Sequence, residues 1–361
     1  MIVFDIDNVK FTGKIDFSDE IIIKSASKTY NVCYSNKNLN ELIKETYKPD
    51  DFIFIDKNVY NLNPLLFEEY QHILLFDAIE NNKNIENVFK LTDKLYEINF
   101  TKINKLIVVG GGITQDIGGF ASAIYKRGIN WIFIPTTMLS MSDSCIGSKV
   151  SINRVSKNIL GMFIAPDNIY ISNYFLKSLS EDDVASGIGE ILKLSLIGGE
   201  LTHNLFIQKL KEKDYITLIK IASLVKRLII EFDEFEKHPR KALNYGHTIG
   251  HAIESATNYF IPHGIAVLIG MYIKNVLFYG DKHHEINILI LKLIHPKFFD
   301  IDFDFSFFIK NVLSDKKNRG NDVCFVLLDE IGKTQIIYKN IKEVEFNLIN
   351  ILRRLFKKSC V

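Results

Sequence analysis

The sequence predicts two domains of different class: an α/β domain with a mostly parallel sheet over residues 1–178 and a mostly α-helical domain over residues 179–361. Three observations point to this division: short apolar runs alternating with helically spaced stretches, a glycine triplet directly after one run, and long amphipathic segments past Leu179. The runs are EIIIKS, YNVCYS, DFIFID, HILLFD, KLIVVGGG, INWIFIP and NIYISN, with stretches such as ENVFKLTDKLYEIN between them. Strands that alternate with helices pair in parallel, because each helix carries the chain back to the edge it started from. Beyond Leu179, EDDVASGIGEILKLSLI, YITLIKIASLVKRLIIEFDEF and GIAVLIGMYIKNVLFYG read as helices, and DVCFVLLDEIGKTQIIY reads as strand.

With 361 residues, 47% of them hydrophobic and 24% charged, the chain can bury sizeable cores. Lys+Arg (44) and Asp+Glu (43) nearly cancel, so no long-range field recruits nucleic acid or an acidic membrane. An anionic substrate must therefore be met by local cations. The opening MIVFDIDNVKFTGKIDF lacks the basic start, apolar stretch and cleavage site of a secretory signal. No apolar run is read as approaching the roughly 18 residues of a membrane span, and the cytoplasm is the expected compartment. Cys33, Cys145, Cys324 and Cys360 are scattered without CxxC spacing, which suits reduced thiols.

In KLIVVGGGITQDIGGFASAIYKRG, Gly110, Gly111 and Gly112 stand between a buried-type strand and a potential helix. In a mostly parallel, Rossmann-like sheet, a turn of this kind lets backbone N–H groups approach a pyrophosphate at a helix N-terminus. It is not the GxGxxG fingerprint, and a plain tight turn has the same composition. Upstream, FIFIDKNV ends with Asp56 and Asn58, polar groups where a ribose or adenine could be held at the carboxyl edge of a parallel sheet. Helix capping is the plainer use for them.

The densest chemistry lies in PRKALNYGHTIGHAIESATNYFIPHG, which holds three of the chain's 9 His: His247, His251 and His263. At i and i+4 on a helix, His247 and His251 share one face, as in helical zinc sites. Zinc takes neutral imidazole and carboxylate ligands, and Glu190 in SGIGEILK, three residues before Lys193, is a candidate carboxylate. Spacing alone leaves open which imidazoles ligate. Arg127, Lys149, Lys157, Lys193, Lys226, Arg240, Lys316 and Lys317 sit beside glycines or small polar residues, as does Asn158. Singly each cation reads as solvated surface charge; together they suit a pocket for phosphate and carboxylate.

Through GGGITQDIGGFASAIYKRG, IPTTMLSMSDSCIGSKVSIN, SKNILGMF, SGIGEILK, RKALNYGHTIGHAIE and PHGIAV, in that order, the chain resembles 3-dehydroquinate synthase and the wider sugar phosphate cyclases. The resemblance runs from about Asp56 to Lys317. It implies zinc or cobalt bound by Glu190, His247 and His263, with His251 turned instead to the substrate phosphate and to proton transfer. It implies NAD surrounded by Asp56, Asn58, Glu80, Lys83, Gly111, Gly112, Asp116, Thr136, Thr137, Asp143, Lys157 and Ser178. The phosphorylated substrate would meet Arg127, Lys149, Asn158, Lys193, Lys226, Arg240, Asn244, His251 and Lys317, with Glu236 beside them. Of these, Lys149, Asn158, Lys193, Glu236, Arg240 and His251 are the implied catalytic set, and Arg127 would come from the neighbouring subunit of a homodimer.

In enzymes of this family NAD oxidises a ring hydroxyl, phosphate is lost, the hydride returns, the ring opens and an intramolecular aldol step closes the carbocycle, in aromatic amino acid biosynthesis. This chain departs from the usual pattern in three places. Ile265 replaces the Glu of HGE, which removes an expected second carboxylate near the zinc ligands. The loop between Lys149 and Lys157 is one residue short, and DSCIGSK replaces DSSVGGK. Two alternatives follow: a sibling cyclase acting on another sugar phosphate for a cyclitol or surface sugar, and a metal-dependent alcohol or glycerol dehydrogenase.

Overall fold

The computed structural model describes residues 1–315 and 317–356. In chain order its elements begin with β1 (Ile2–Ile6), β2 (Val9–Gly13), β3 (Glu20–Lys24), β4 (Thr29–Ser35), α1 (Leu39–Thr46), β5 (Phe52–Asp56) and α2 (Lys57–Leu62). There follow β6 (Ile73–Phe76), α3 (Ile85–Glu97), β7 (Lys105–Gly110), α4 (Gly112–Ile124), β8 (Asn130–Pro135), β9 (Lys149–Ile152), β10 (Leu160–Phe163) and β11 (Asn168–Ser172). The remainder is α5 (Glu181–Ile197), α6 (Glu200–Glu212), α7 (Tyr215–Phe232), α8 (His247–Ala256), α9 (His263–Tyr279), α10 (His284–Leu293), α11 (Phe305–Leu313), β12 (Asp322–Glu330), β13 (Lys333–Asn340) and α12 (Ile341–Leu355).

Two compact units share the chain, and neither is continuous. Asp16–Ser180 and Tyr215–Phe235 form the α/β unit; Met1–Ile15, Glu181–Asp214 and Glu236–Val361 form the other. The expected cut after residue 178 lies beside the Ser180/Glu181 boundary, but the expected ranges 1–178 and 179–361 need two exchanges.

The first exchange concerns the N-terminus. Strand β1 pairs in parallel with β13, Asp5 opposite Lys333, so the opening hairpin completes the four-stranded sheet β12-β13-β1-β2. The second concerns α7, whose chain belongs with the α/β unit: Lys226 on α7 bonds to Asp143, and Glu231 accepts from the Lys24 amide of β3 at 2.9 Å. A hydrophobic pattern identifies a strand or a helix but not its partner hundreds of residues away.

The α/β unit is built on a seven-stranded sheet in the order β3-β4-β11-β8-β7-β5-β6. Its neighbours run parallel except β3 and β4, which a short turn joins as a hairpin. Ile53, Val108 and Phe133 are sealed in its central strands, which accounts for apolar runs without alternation. A separate hairpin of β9 and β10 carries the shortened loop between Lys149 and Lys157.

The other unit packs α5, α8 and α9 with their backbones touching. A Cβ placed on Gly264 of α9 would stand 1.8 Å from the Ser186 carbonyl oxygen of α5, and one on Gly189 would stand 2.4 Å from the Gly264 oxygen. Gly264 also donates its N–H to Ser186 Oγ at 2.9 Å. By composition the stretch His263–Leu293 is apolar enough to cross a membrane, which corrects the reading that no run approached that length. Ile265, Ala266, Val267 and Leu268 are nevertheless fully buried within the unit, as expected of its central core helix.

Because any side chain at position 264 must push two backbones apart, Gly264→Ala is expected to cost about 3 kcal/mol, the upper part of the overpacking range. Urea unfolding followed by circular dichroism checks it; a wild-type midpoint would mean the two helices are not in contact.

Candidate metal centre and nucleotide-binding residues

The three donors expected for a metal each stand next to a residue that sets a close backbone approach or a helix start. Glu190 follows Gly189 inside α5, His247 opens α8 after Gly246, and His263 opens α9 immediately before Gly264. Glu190 Oε1 lies 3.6 Å from His247 Nε2 and 3.4 Å from His263 Nε2. Ligands bound tetrahedrally at 2.0–2.1 Å are separated by about 3.3–3.4 Å, so these spacings fit a single zinc-sized ion. Glu190 is 0% exposed, and neither of its oxygens accepts a well-directed hydrogen bond. Lys193 Nζ approaches Oε2 at 2.5 Å as an ion pair, balancing the charge and leaving Oε1 toward the imidazoles. A sealed carboxylate with an uncommitted oxygen is what a cation site requires.

The far side of each imidazole is also engaged. His247 Nδ1 is 3.3 Å from the Tyr245 carbonyl oxygen, and His263 Nδ1 is 3.0 Å from Glu254 Oε2. Protons on both Nδ1 atoms, the assignment these acceptors favour, leave both Nε2 lone pairs toward Glu190. Burial, then Lys193 and the neighbouring imidazoles, hold His247 well below its ordinary value, in the neutral form that ligates. Burial works against protonation of His263 too, but the Glu254 and Glu190 carboxylates outweigh it and push this imidazole up to about 10. Without an ion, a proton on Nε2 of His263 therefore satisfies the carboxylates, and a bound cation would displace that proton and take the lone pair.

His251 belongs to the same cluster: donor atoms of His247, His251 and His263 all lie within 4.8 Å of one another. The i, i+4 reading of one shared helix face therefore describes the geometry, although His251 need not be a ligand. On the polar side of this unit Asn244 Nδ2 donates to Glu236 Oε1 at 2.7 Å, and Arg240 is buried. Lys317 Nζ is 3.3 Å from Asp315 Oδ2, and His251 and Lys317 both help to hold the Asp315 carboxyl below its usual range against its burial. Lys316 lies outside the described residues.

In the α/β unit, Gly111 caps α4 without a side chain, and a Cβ on it would come within 3.0 Å of Thr137. The first amides of α4 are thereby left open to a phosphate. Asp56 does cap α2, accepting from the Asn58 amide at 2.8 Å, so the plain capping use is realised. Burial raises the Asp56 carboxyl, with that amide opposing.

Lys83 joins two of the other expected residues, donating to Asn158 Oδ1 and pairing with Asp116 Oδ2, both at 2.5 Å. Lys226 pairs with Asp143 at 2.7 Å, which ties an expected substrate residue to an expected cofactor residue. Thr136 is buried, donating its amide to Gly110; Thr137 is bonded to Ser140, and Ser178 Oγ donates to Phe175. Lys149 is exposed on β9, Lys157 half-buried. Arg127 is exposed in a run of left-handed backbone, with φ of 49° at Lys126, 63° at Arg127 and 107° at Gly128. Strain of that kind persists where a side chain must be aimed.

Three participants escaped the sequence reading. Glu254 had a signal, since His247, His251 and Glu254 follow i, i+4, i+7 and share a helix face; its carboxylate stands 3.0 Å from His263 Nδ1, although position 265 carries none. Asn153 had none: its amide donates to Lys83 O at 2.7 Å, its Nδ2 to Glu80 Oε1 at 2.8 Å, and its Oδ1 accepts from the Asn158 amide at 2.8 Å. Asp315, beside Lys317, is the third.

A mostly parallel seven-stranded sheet in one unit and helical donors of zinc-ligand type in another make a fold that this chain shares with solved cyclases and dehydrogenases. A 2-deoxy-scyllo-inosose synthase complexed with carbaglucose-6-phosphate, NAD+ and Co2+ superposes with TM-score 0.76 at 23% identity, covering 91% of this chain and 99% of that one. The 2-epi-5-epi-valiolone synthase of Streptomyces hygroscopicus, with NAD+ and Zn2+ bound, gives 0.75 at 22%, covering 90% and 97%. A probable glycerol dehydrogenase of Sinorhizobium meliloti gives 0.58 at 11%, covering 91% and 97%. At these identities the likeness is one of fold.

Sequence narrows the class. Residues 73–186 match the 3-dehydroquinate synthase N-terminal family and residues 187–318 the 3-dehydroquinate synthase C-terminal family. The 3-dehydroquinate synthase of Thermoanaerobacter sp. is 34% identical over 354 residues, spanning 90% of this chain and 98% of that one; that of Clostridium tetani is 34% identical over 346, spanning 89% and 91%. The chain belongs to the 3-dehydroquinate synthase family.

Removing the Asn153 side chain should loosen the loop that presents Lys157 and Asn158. Losing its hydrogen bonds costs about 1–2 kcal/mol, a factor of about 5–30 in loop order. Asn153→Ala should raise KM for the phosphorylated substrate by a similar factor in steady-state assays, and an unchanged KM would disconnect Asn153 from the site.

Proposed function

We propose that the chain is an NAD- and zinc-dependent carbon–oxygen lyase that converts 3-deoxy-arabino-heptulosonate 7-phosphate to 3-dehydroquinate and inorganic phosphate. The observation that carries this is the convergence of Glu190 Oε1 on the Nε2 atoms of His247 and His263, 3.6 and 3.4 Å away. Family membership supplies the reaction class, and two folds alike in shape are of cyclases solved with NAD+ and a divalent metal.

In this reading Glu190, His247 and His263 hold the ion, with Lys193 balancing the carboxylate. The nicotinamide supplies transient hydride acceptance and the ion Lewis acidity toward the hydroxyl being oxidised and the aldol carbonyl. Asp56, Asn58, Glu80, Lys83, Asp116, Thr136, Thr137, Asp143, Lys157 and Ser178 surround the cofactor, and the α4 amides behind Gly111 and Gly112 take its pyrophosphate. Lys149, Asn158, Asn244, His251 and Lys317 hold the substrate phosphate, and His251 moves the proton as phosphate departs. Lys226 and Arg240 meet the carboxylate, with Glu236 orienting Asn244. Held orientation of this sort is worth about 7–11 kcal/mol in favourable cases.

The same reading takes the enzyme as a cytoplasmic homodimer in which Arg127 comes from the neighbouring subunit. Of the departures that had raised a sibling cyclase, Ile265 is fully buried in α9, so it repacks a helix and does not border a sugar. The intact 34% identity to 3-dehydroquinate synthases favours the keto-acid substrate.

Purified enzyme with NAD and Zn2+ should release phosphate from the keto-acid phosphate with no sustained rise in reduced-nicotinamide absorbance. Phosphate release only from a neutral-ended sugar phosphate would reassign it to a sibling cyclase, and steady accumulation of NADH to a dehydrogenase. His263→Ala should lose one bound metal per chain, measured by elemental analysis, together with turnover.

A further inference from the structure

Glu254 is 4% exposed and sits on the same face of α8 as His247 and His251. Its Oε2 is 3.0 Å from Nδ1 of His263, a residue on a different helix whose Nε2 faces Glu190. The other ring of the pair finds its Nδ1 acceptor in a main-chain carbonyl, that of Tyr245, at 3.3 Å. So of the two acceptors that orient the imidazoles, one is a charged side chain and the other neutral backbone. A carboxylate is the stronger acceptor, and a proton held on Nδ1 forces the lone pair onto Nε2 and makes it more basic.

We propose that Glu254 is a positioning residue that sets how tightly the Glu190, His247 and His263 site holds its divalent ion, by keeping the His263 proton on Nδ1. The proposal rests on the reading that these three residues bind the ion. It makes Glu254 the adjustable element of the centre, because the Tyr245 carbonyl is present whatever side chain occupies position 245. A purely structural Glu254 would affect folding alone. A positioning Glu254 acts on the ion without touching it.

The test uses the full chain, stripped of metal and titrated with Co2+ against a chromogenic chelator. Glu254→Ala is expected to weaken Co2+ binding about 10–100-fold and to alter the visible d–d envelope of the bound ion. Glu254→Gln, whose amide oxygen accepts the same proton without the charge, should recover most of the wild-type spectrum, with binding weakened only about 3–10-fold. His263→Ala serves as the control that reports loss of a ligand. Wild-type affinity and spectrum in Glu254→Ala, or in Glu254→Gln should thermal melting show that the alanine variant fails to fold, would overturn the proposal while the His263 control still loses Co2+. If wild type and His263→Ala bind Co2+ alike, the metal reading itself falls, and the proposal with it.

Discussion

The contact between helix backbones is the constraint on which the remainder of the metal-side unit depends. Helices ordinarily pack 8–10 Å apart, held off by their side chains. Here α5 and α9 meet at Gly189 and Gly264, and a Cβ on Gly270 of α9 would lie 2.1 Å from the Gly246 oxygen ahead of α8. Each seam has a donor residue at the next position: Glu190 after Gly189, His263 before Gly264, His247 after Gly246. Short side-chain reach follows from short backbone separation. With backbones this close, two imidazoles from two other helices reach Glu190 Oε1 at 3.6 and 3.4 Å. Packing and chemistry are therefore specified by the same residues, and a change at either glycine acts on both.

That proximity has an electrostatic cost, which the two units meet differently. The unit buries Glu190, Lys193, Glu254 and Arg240, charged groups that are almost never sealed off unless paired. Buried ion pairs seldom add net stability, since desolvation offsets the attraction. Such a concentration of charge is a signature of a functional centre. In the α/β unit the charges instead link loops to helices: Lys83 ties Asp116 of α4 to Asn158, and Lys226 ties α7 to Asp143. One cluster concentrates field at a point, whereas the other fixes irregular chain where side chains must be presented.

How much of this could be read in advance depended on the range of the interaction. The sheet strands were legible because each central run is apolar at every position, and the glycine turn because it follows β7 directly. The face shared by His247 and His251 was legible because helical periodicity is local. What failed was pairing at a distance. Nothing in MIVFDI announces that Asp5 will lie opposite Lys333, and nothing in α7 says that Lys226 will reach Asp143, so a single cut at 178 missed both exchanges. The apolar character of α9 was likewise understated, because Lys274 breaks the run in sequence yet is buried in the fold, donating to the Val326 oxygen at 2.9 Å.

The case of Ile265 shows why a motif departure has to be judged by contact and not by column. Read along the chain, loss of a glutamate two residues after His263 removes a carboxylate from the ion's surroundings. In space, Ile265 is fully buried while Glu254, nine residues before His263, supplies its Nδ1 acceptor. An acceptor for Nδ1 has to approach in the plane of the ring on the side away from Nε2, and here it comes from α8 while His263 itself opens α9. The orientation of the imidazole is therefore set across the α8/α9 seam, while Glu190 reaches its Nε2 across the separate α5/α9 contact. A departure beside the ligand in sequence leaves that arrangement intact, because the arrangement was never made by sequence neighbours.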